Sequence, residues 1–228
     1  MTLQISVIIP AIDEAQMIGA AVRSAVSAGA DEVIVSDGGS HDGTPEIAQR
    51  HGARVLTAAP GRASQQNAGA DVAVGDVLLF LHADCCLPKA GLSEIRQQLV
   101  AQNTCIGGYF RQRIDDSHQI YRWIESGNLM RAQTLKWAYG DQAIFVRADI
   151  FHDIGGFPDM PLMEDLFIMK RLRKRGQLVR IDAPLLVSAR RWENRGTIRQ
   201  TLRNWAMLVA VHLGVPPAML ARHYPRTT

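Results

Sequence analysis

Four short apolar runs, each followed by a stretch with helical spacing, limit what this chain can fold into more than any other feature. Residues 5–9 read ISVII, 32–36 read EVIVS, 53–57 read ARVLT and 77–81 read VLLFL. The runs at 5–9 and 77–81 are apolar almost throughout, without the in–out alternation of a half-exposed strand. They fit strands buried on both faces, as in a parallel sheet. Between the first two, Ile18, Ala21, Val22, Ala25 and Val26 recur at helical spacing, with Asp13 as a candidate N-cap. Pro45 and Gly52 bracket a helix over 45–51, and a third helix is expected over about 62–72. Strand and helix in strict alternation predict an α/β domain with a mostly parallel sheet, right-handed crossovers and flanking helices.

The second half is less regular. A helix over about 88–100 carries Leu92, Ile95 and Leu99 on one face. A strand at 105–113, a helix at 118–132, a strand at 142–147, a helix at 164–175, a strand at 178–188 and a long helix at 197–213 follow. A length of 228 residues suits one large domain, or one domain with a terminal extension. With 47% hydrophobic and 21% charged residues, disorder is excluded. No run of about 18 apolar residues occurs, so no spanning helix is expected, and the start MTLQISVIIPAIDE does not read as a signal peptide. Cys85, Cys86 and Cys105 are odd in number and form no CxxC pair. They argue against a disulfide framework or a zinc site and for a reducing, cytoplasmic compartment.

Net charge is only +3, but it is unevenly spread. Residues 170–228 hold 13 of the 25 Lys and Arg and only two acids, Asp182 and Glu193; the first 169 hold the other 20 acids. An acidic body with a basic tail points to an anionic partner: a phosphate-bearing substrate, a lipid surface or nucleic acid. Aromatic residues are not interleaved with the bases as in a stacking platform, which sets nucleic acid aside.

Ligands on parallel sheets bind at the carboxyl ends of the strands, and the polar clusters lie there. Asp13 and Glu14 follow the first strand. Asp37 opens the glycine-rich turn SDGGSHDGT after the second. It reads either as a ligand-binding carboxylate or as part of an ordinary turn, with Asp42 or Thr44 capping the next helix. His82-Ala83-Asp84 follows the fourth strand. Extended alternation would put His82 and Asp84 on one side, where both can ligate a metal; the plainer reading is a strand-end cap. Glu164 and Asp165 open a helix. They either complement its dipole or include a general base. Arg62 offers a fork suited to phosphate.

Taken together and in this order, these segments resemble family 2 glycosyltransferases with the GT-A fold. IIPAIDE resembles the opening strand motif, with Asp13 where the family usually has Asn. SDGGSHDGT matches the nucleotide-binding turn, with Gly38 where a second acid often stands. GRASQQNAGA resembles the segment with the donor-contacting Arg. LHAD stands where the family has Asp-x-Asp, with His82 in the first acidic place. Residues 140–176 resemble the acceptor half, where Glu-Asp carries the base. The resemblance covers about residues 5–192. SARRWENRG and the helix after it are similar to a small bacterial subgroup named for rSAM-associated or arsenosugar biosynthesis.

The resemblance implies an inverting transfer from a nucleoside diphosphate sugar, UDP-sugar first, to an acceptor hydroxyl. Pro10, Glu14, Asp37, Arg62, Asp84, Arg191 and Trp192 would contact the donor. Asp84 and His82 would hold Mg²⁺ or Mn²⁺. Gly140 and Asp141 would line the acceptor pocket, and Asp165, with Glu164 beside it, would be the base. Two other functions remain open at this level. A nucleotidyltransferase could share the sheet, although PAIDEAQMI lacks its glycine-rich basic loop. A non-catalytic nucleotide-sugar binding protein could share the site, although Asp84 and Asp165 are both kept.

The expected division is a GT-A domain over 1–192 and a helical extension over 193–228. In the extension, Ile198, Leu202, Trp205, Val209 and Leu213 form one apolar stripe, flanked by Arg195, Arg199 and Arg203. The stripe reads either as packing on the domain or as contact with an anionic membrane. The second reading would place the enzyme on the inner face of the membrane near a lipid-linked acceptor. A homo-oligomer is also compatible with the sequence.

Overall fold

The computed structural model describes residues 2–135 and 140–221; the side chains of 131–135, 191, 194, 195 and 198 are outside that description. The first half alternates as the apolar runs predict: β1 (Ile5–Ala11), α1 (Ile18–Ser27), β2 (Glu32–Asp37), α2 (Thr44–Arg50), β3 (Arg54–Thr57), α3 (Arg62–Val72), β4 (Val77–Phe80). Then come β5 (Cys85–Cys86), α4 (Gly91–Ala101), β6 (Cys105–Ile114), α5 (Gln119–Leu135), a 3-10 turn (Gly140–Gln142), β7 (Ile144–Arg147) and α6 (Ala148–Asp153). The last elements are α7 (Glu164–Leu172), β8 (Gln177–Val187), α8 (Arg190–Arg195), α9 (Thr197–His212) and α10 (Pro217–Ala221). No helix among the described residues is long and apolar enough to cross a membrane.

Among the described residues, eight strands form one sheet in the order β3-β2-β1-β4-β7-β6-β8-β5. The first four are parallel, β7 is antiparallel to both β4 and β6, β8 runs parallel to β6, and β5 closes the edge antiparallel to β8. This is the mostly parallel sheet of the GT-A expectation. Its core has two sides. Ile5, Val7 and Ile9 meet α1 and α4 residues such as Val22 and Ile95, while Ile8, Leu78 and Phe80 meet Ala63, Ala70, Phe151 and Phe157. Burial on both faces is why ISVII and VLLFL show no polar alternation. β1 runs on through Pro10 to Ala11. β4 accompanies it only as far as Ile8 opposite Phe80, so beyond that point a missing N–H breaks no ladder on that side.

Two local expectations are corrected. Asp13 does not cap α1: the N-cap is Met17, without a side-chain bond. The Asp13 backbone is left-handed (φ 50°) and its carboxylate accepts the His41 N–H at 2.8 Å. The 82–85 segment is a turn rather than an extended strand end, closed by Cys85 N–H donating to the His82 carbonyl at 3.0 Å. The alternation that put His82 and Asp84 on one side therefore does not apply.

The last long helix turns its predicted stripe outward. α9 buries Gln200, Met207, Leu208 and Val211, and Leu208 and Val211 pack with Leu166 of α7. Leu202, Trp205, Val209 and Leu213 face away, 65%, 42%, 54% and 80% exposed. The Arg195 and Ile198 side chains, also part of the stripe reading, lie outside the described residues.

Candidate functional site

The loops after β1 and β2 are laced together by their own polar groups. Asp37 accepts the Gly39 N–H (2.9 Å), the Ser40 N–H (3.0 Å) and the Ser40 hydroxyl. Its carboxylate thus holds the glycine-rich turn in shape. Asp13 N–H donates to Ser40 Oγ, Glu14 N–H to Thr44 Oγ1 and Ala15 N–H to Asp42. Burial pushes the Asp42 carboxyl up, but hydrogen bonds from Thr44 and Ala15 outweigh it and hold the group below the usual carboxylate value. Beneath the loops, buried Gln65 of α3 donates to the carbonyls of Ala11 (2.7 Å) and Ser36 (2.8 Å). It pins the ends of β1 and β2, where the buried Pro10 also lies. Glu14 pairs at 2.7 Å with Arg190 of α8, far along the chain. The Arg191 side chain, the arginine singled out in the sequence, lies outside the described residues.

A pocket of about 110 Å³ brings Arg62, His82, Asp141, Asp165 and Trp192 together. α5 contributes Ile124 and Asn128, the segment before α7 contributes Leu162 and Met163, and α9 contributes Thr201, Asn204, Trp205, Met207 and Leu208. Asp165 is anchored by two backbone donors: Gly140 N–H to Oδ2 at 2.8 Å and Leu166 N–H to Oδ1 at 2.7 Å. The His82 ring lies against Gly140, where an added Cβ would sit 2.3 Å from Nε2, so only glycine permits this approach. Asp141 Oδ2 accepts from Gln112 of β6 (2.9 Å), whose Oε1 accepts from Asn128 (2.8 Å). Trp192 is buried in the core against Tyr121, edge to face, with part of its surface on the pocket.

Pro10, Glu14, Asp37, Asp84, Gly140 and Glu164 do not themselves line this pocket. Glu164 is almost fully buried and forms a 2.9 Å ion pair with Arg62 Nε. Burial pushes its carboxyl above the usual value, Arg62 opposes this, and the neighbouring Asp165 adds to it. A carboxyl raised in the folded state favours folding fully below the unfolded value of 4.5 and loses that contribution as pH rises through the folded value. Glu164→Gln has no such proton. In thermal unfolding the variant should gain on the wild type as pH rises from about 4.5 to neutrality. A constant difference across that range would show that the Glu164 proton is not linked to folding.

Among the described residues, three non-glycine residues adopt left-handed backbone, Asp13 (φ 50°), Ala143 (φ 44°) and Met163 (φ 68°). They lie beside Glu14, the Gly140 turn and Glu164, the kind of clustering strained backbone shows at functional sites. Sequence reasoning missed Gln65, Gln112, Asn128, Arg190 and the α9 wall. For Gln65 a signal existed: it falls among the buried positions Ala63, Gly69 and Ala70 of α3, where a polar side chain needs a partner.

The implied metal can be tested against the donors present. His82 and Asp84 belong to one turn and are both buried. No group of three or more His, Cys, Asp or Glu among the described residues could enclose an ion. Of these two, the carboxylate suits a hard divalent ion that takes its remaining ligands from substrate phosphates, and the imidazole is better tolerated by Mn²⁺ than by Mg²⁺.

Comparison with known proteins agrees with this architecture. Glycosyltransferase AglE of Haloferax volcanii is 29% identical over 179 residues, which span 68% of this chain and 56% of that protein. The chain thus spans little more than half of that relative. Three solved structures share the fold. A mannosyltransferase of Pyrobaculum calidifontis in complex with GDP-Man and Mn²⁺ has a TM-score of 0.66 at 19% identity, over 82% of this chain and 57% of that one. Glucosyl-3-phosphoglycerate synthase of Mycobacterium tuberculosis, with Mn²⁺, UDP and its glucosylated product, has a TM-score of 0.60 at 18% identity, over 80% and 70%. S. aureus TarS 1–349 with UDP-GlcNAc has a TM-score of 0.66 at 16% identity, over 82% and 58%. The sequence pattern of glycosyl transferase family 2 matches residues 6–157, two thirds of the chain. The chain belongs to glycosyl transferase family 2.

Proposed function

We propose that this enzyme moves a sugar from a nucleoside diphosphate sugar, UDP-sugar first, to an acceptor hydroxyl with inversion at the anomeric carbon. The observation that carries the reading is Asp165, held by the Gly140 and Leu166 N–H groups on a pocket shared with Arg62 and His82. Two donors fix the carboxylate's direction and leave lone pairs on both oxygens for an acceptor hydroxyl. Asp165 accepts the proton as the acceptor oxygen attacks the anomeric carbon from the face opposite the diphosphate. The bond to the diphosphate breaks and its electron pair leaves with the nucleotide. Arg62, positioned by buried Glu164, faces the phosphates as negative charge builds there. Glu164 acts through Arg62 rather than as a second base. Asp37 keeps the nucleotide-binding turn in shape, Trp192 lines the pocket beside the donor, and Pro10 and Glu14 support the strand-end loops next to it; the Arg191 side chain, also expected at the donor, lies outside the described residues. Gly140 and Asp141 shape the acceptor side. Asp84 with His82 would hold Mg²⁺ or Mn²⁺, which offsets charge on the leaving diphosphate.

Residues 193–228 are the expected extension of the 1–192 domain, and its α9 contributes a wall of the pocket. SARRWENRG and this helix support placement in the rSAM-associated subgroup. The three free cysteines fit a cytoplasmic setting. The test is a panel of nucleotide sugars assayed for donor hydrolysis with Mg²⁺ or Mn²⁺ and with chelator. One donor class should turn over, with metal and with release of the inverted sugar. No turnover with any donor would favour a nucleotide-sugar binding role instead.

A further inference from the structure

α9 is apolar on two opposite sides, and among the described residues only one of them is buried. At about 100° per residue, Gln200, Met207 and Val211 point one way and Leu202, Val209 and Leu213 the other. The first set is buried; the second is more than half exposed. Met219 of α10 continues the exposed apolar character at 57%. Leu202, Val209 and Leu213 thus form one exposed apolar row, and such patches mark binding surfaces.

We propose that this face of α9 lies on an anionic lipid bilayer. Charge supports that occupant. Neither α9 nor α10 contains an Asp or Glu, and Arg199 and Arg203 run along one flank of the stripe. Residues 170–228 as a whole hold 13 bases against two acids. Apolar side chains on one face with arginines on its edge suit a helix lying in the headgroup region. A second copy of the chain is the poorer occupant. Pairing two such faces across a two-fold axis gives the arginines no carboxylate on either helix to meet. The surface also reaches the pocket. Trp205 stands in the stripe at 42% exposure and lines the pocket as well, and an indole at that edge suits a membrane interface. The pocket mouth then opens at headgroup level. An acceptor whose hydroxyl or phosphate head enters the pocket while its chain stays in the bilayer is the substrate class this favours; that last step rests on the glycosyl-transfer reading.

The test uses the full chain and vesicles of phosphatidylcholine, with or without phosphatidylglycerol, sedimented at low and high salt. Binding should require the anionic lipid and weaken with salt. The triple variant Leu202→Ser, Val209→Ser, Leu213→Ser should lose binding by more than about tenfold, because three exposed apolar groups no longer enter the bilayer. Its thermal unfolding and its donor hydrolysis in solution should match the wild type. Absence of binding to anionic vesicles at low salt, or unchanged binding by the triple variant, overturns the proposal. So does a wild-type dimer in sedimentation velocity that the triple variant dissociates. Loss of donor hydrolysis in every sample would instead count against the catalytic reading, since vesicle binding is read separately.

Discussion

Asp165→Asn is expected to slow transfer by about 10²–10⁴, the range for losing a general base, with donor affinity nearly unchanged. The amide matches the carboxylate in size but cannot take the acceptor proton. It also presents an NH₂ group where Asp165 accepts from Gly140 and Leu166. One of those bonds is therefore lost, at about 1–3 kcal/mol for a buried donor left unpaired. This second effect separates two roles. If Asp165 is the base, turnover at saturating substrate falls whether or not stability does. If it only anchors the Gly140 turn, the melting temperature falls while turnover at saturation stays near wild type. Collapse of donor affinity would make it a binding residue.

The second large effect is expected at Asp84. Asp84→Ala should reduce metal-supported donor turnover by about 10³ or more, since a bound divalent ion supplies several kcal/mol of charge stabilisation to a leaving diphosphate. Wild-type enzyme in excess chelator should fall to the same level. Asp84 is buried beside Cys85, whose thiol hydrogen bonds to its Oδ1 at 3.6 Å, so the alanine variant needs a folding check. Asp84→Asn keeps the volume and serves as the second variant. Undiminished turnover in either folded variant, or full wild-type activity in chelator, removes Asp84 from the metal role.

Much of the parallel half was legible because its evidence is local. A strand buried on both faces must be apolar at nearly every position, and 5–9 and 77–81 are. Cys85–Cys86 is too short to carry a period, and ADIFHD and RRWENR are single short helices between stronger signals. In the candidate site, the residues at strand ends could be found from order along the chain. Their partners could not: Glu14 meets Arg190, and Asp141 meets Gln112 and, through it, Asn128. The α9 stripe shows a different limit. Periodicity located an apolar face, but the opposite face carries Met207, Leu208 and Val211, and no pattern within one helix says which side the domain covers.

The strand order bears on how the chain reaches this structure. β1 to β4 find their neighbours within the first 80 residues, so that half can assemble early. β4 cannot be finished then. Its outer neighbour is β7, with Phe80 opposite Ile144, and β5 waits for β8, with Cys85 opposite Val187. Until those segments arrive, Val77–Phe80 is an unprotected edge without a charge or proline to discourage mispairing. Distant pairings of this kind form slowly. Refolding yield should therefore be set less by the final stability of the fold than by how long VLLF stays open to other chains.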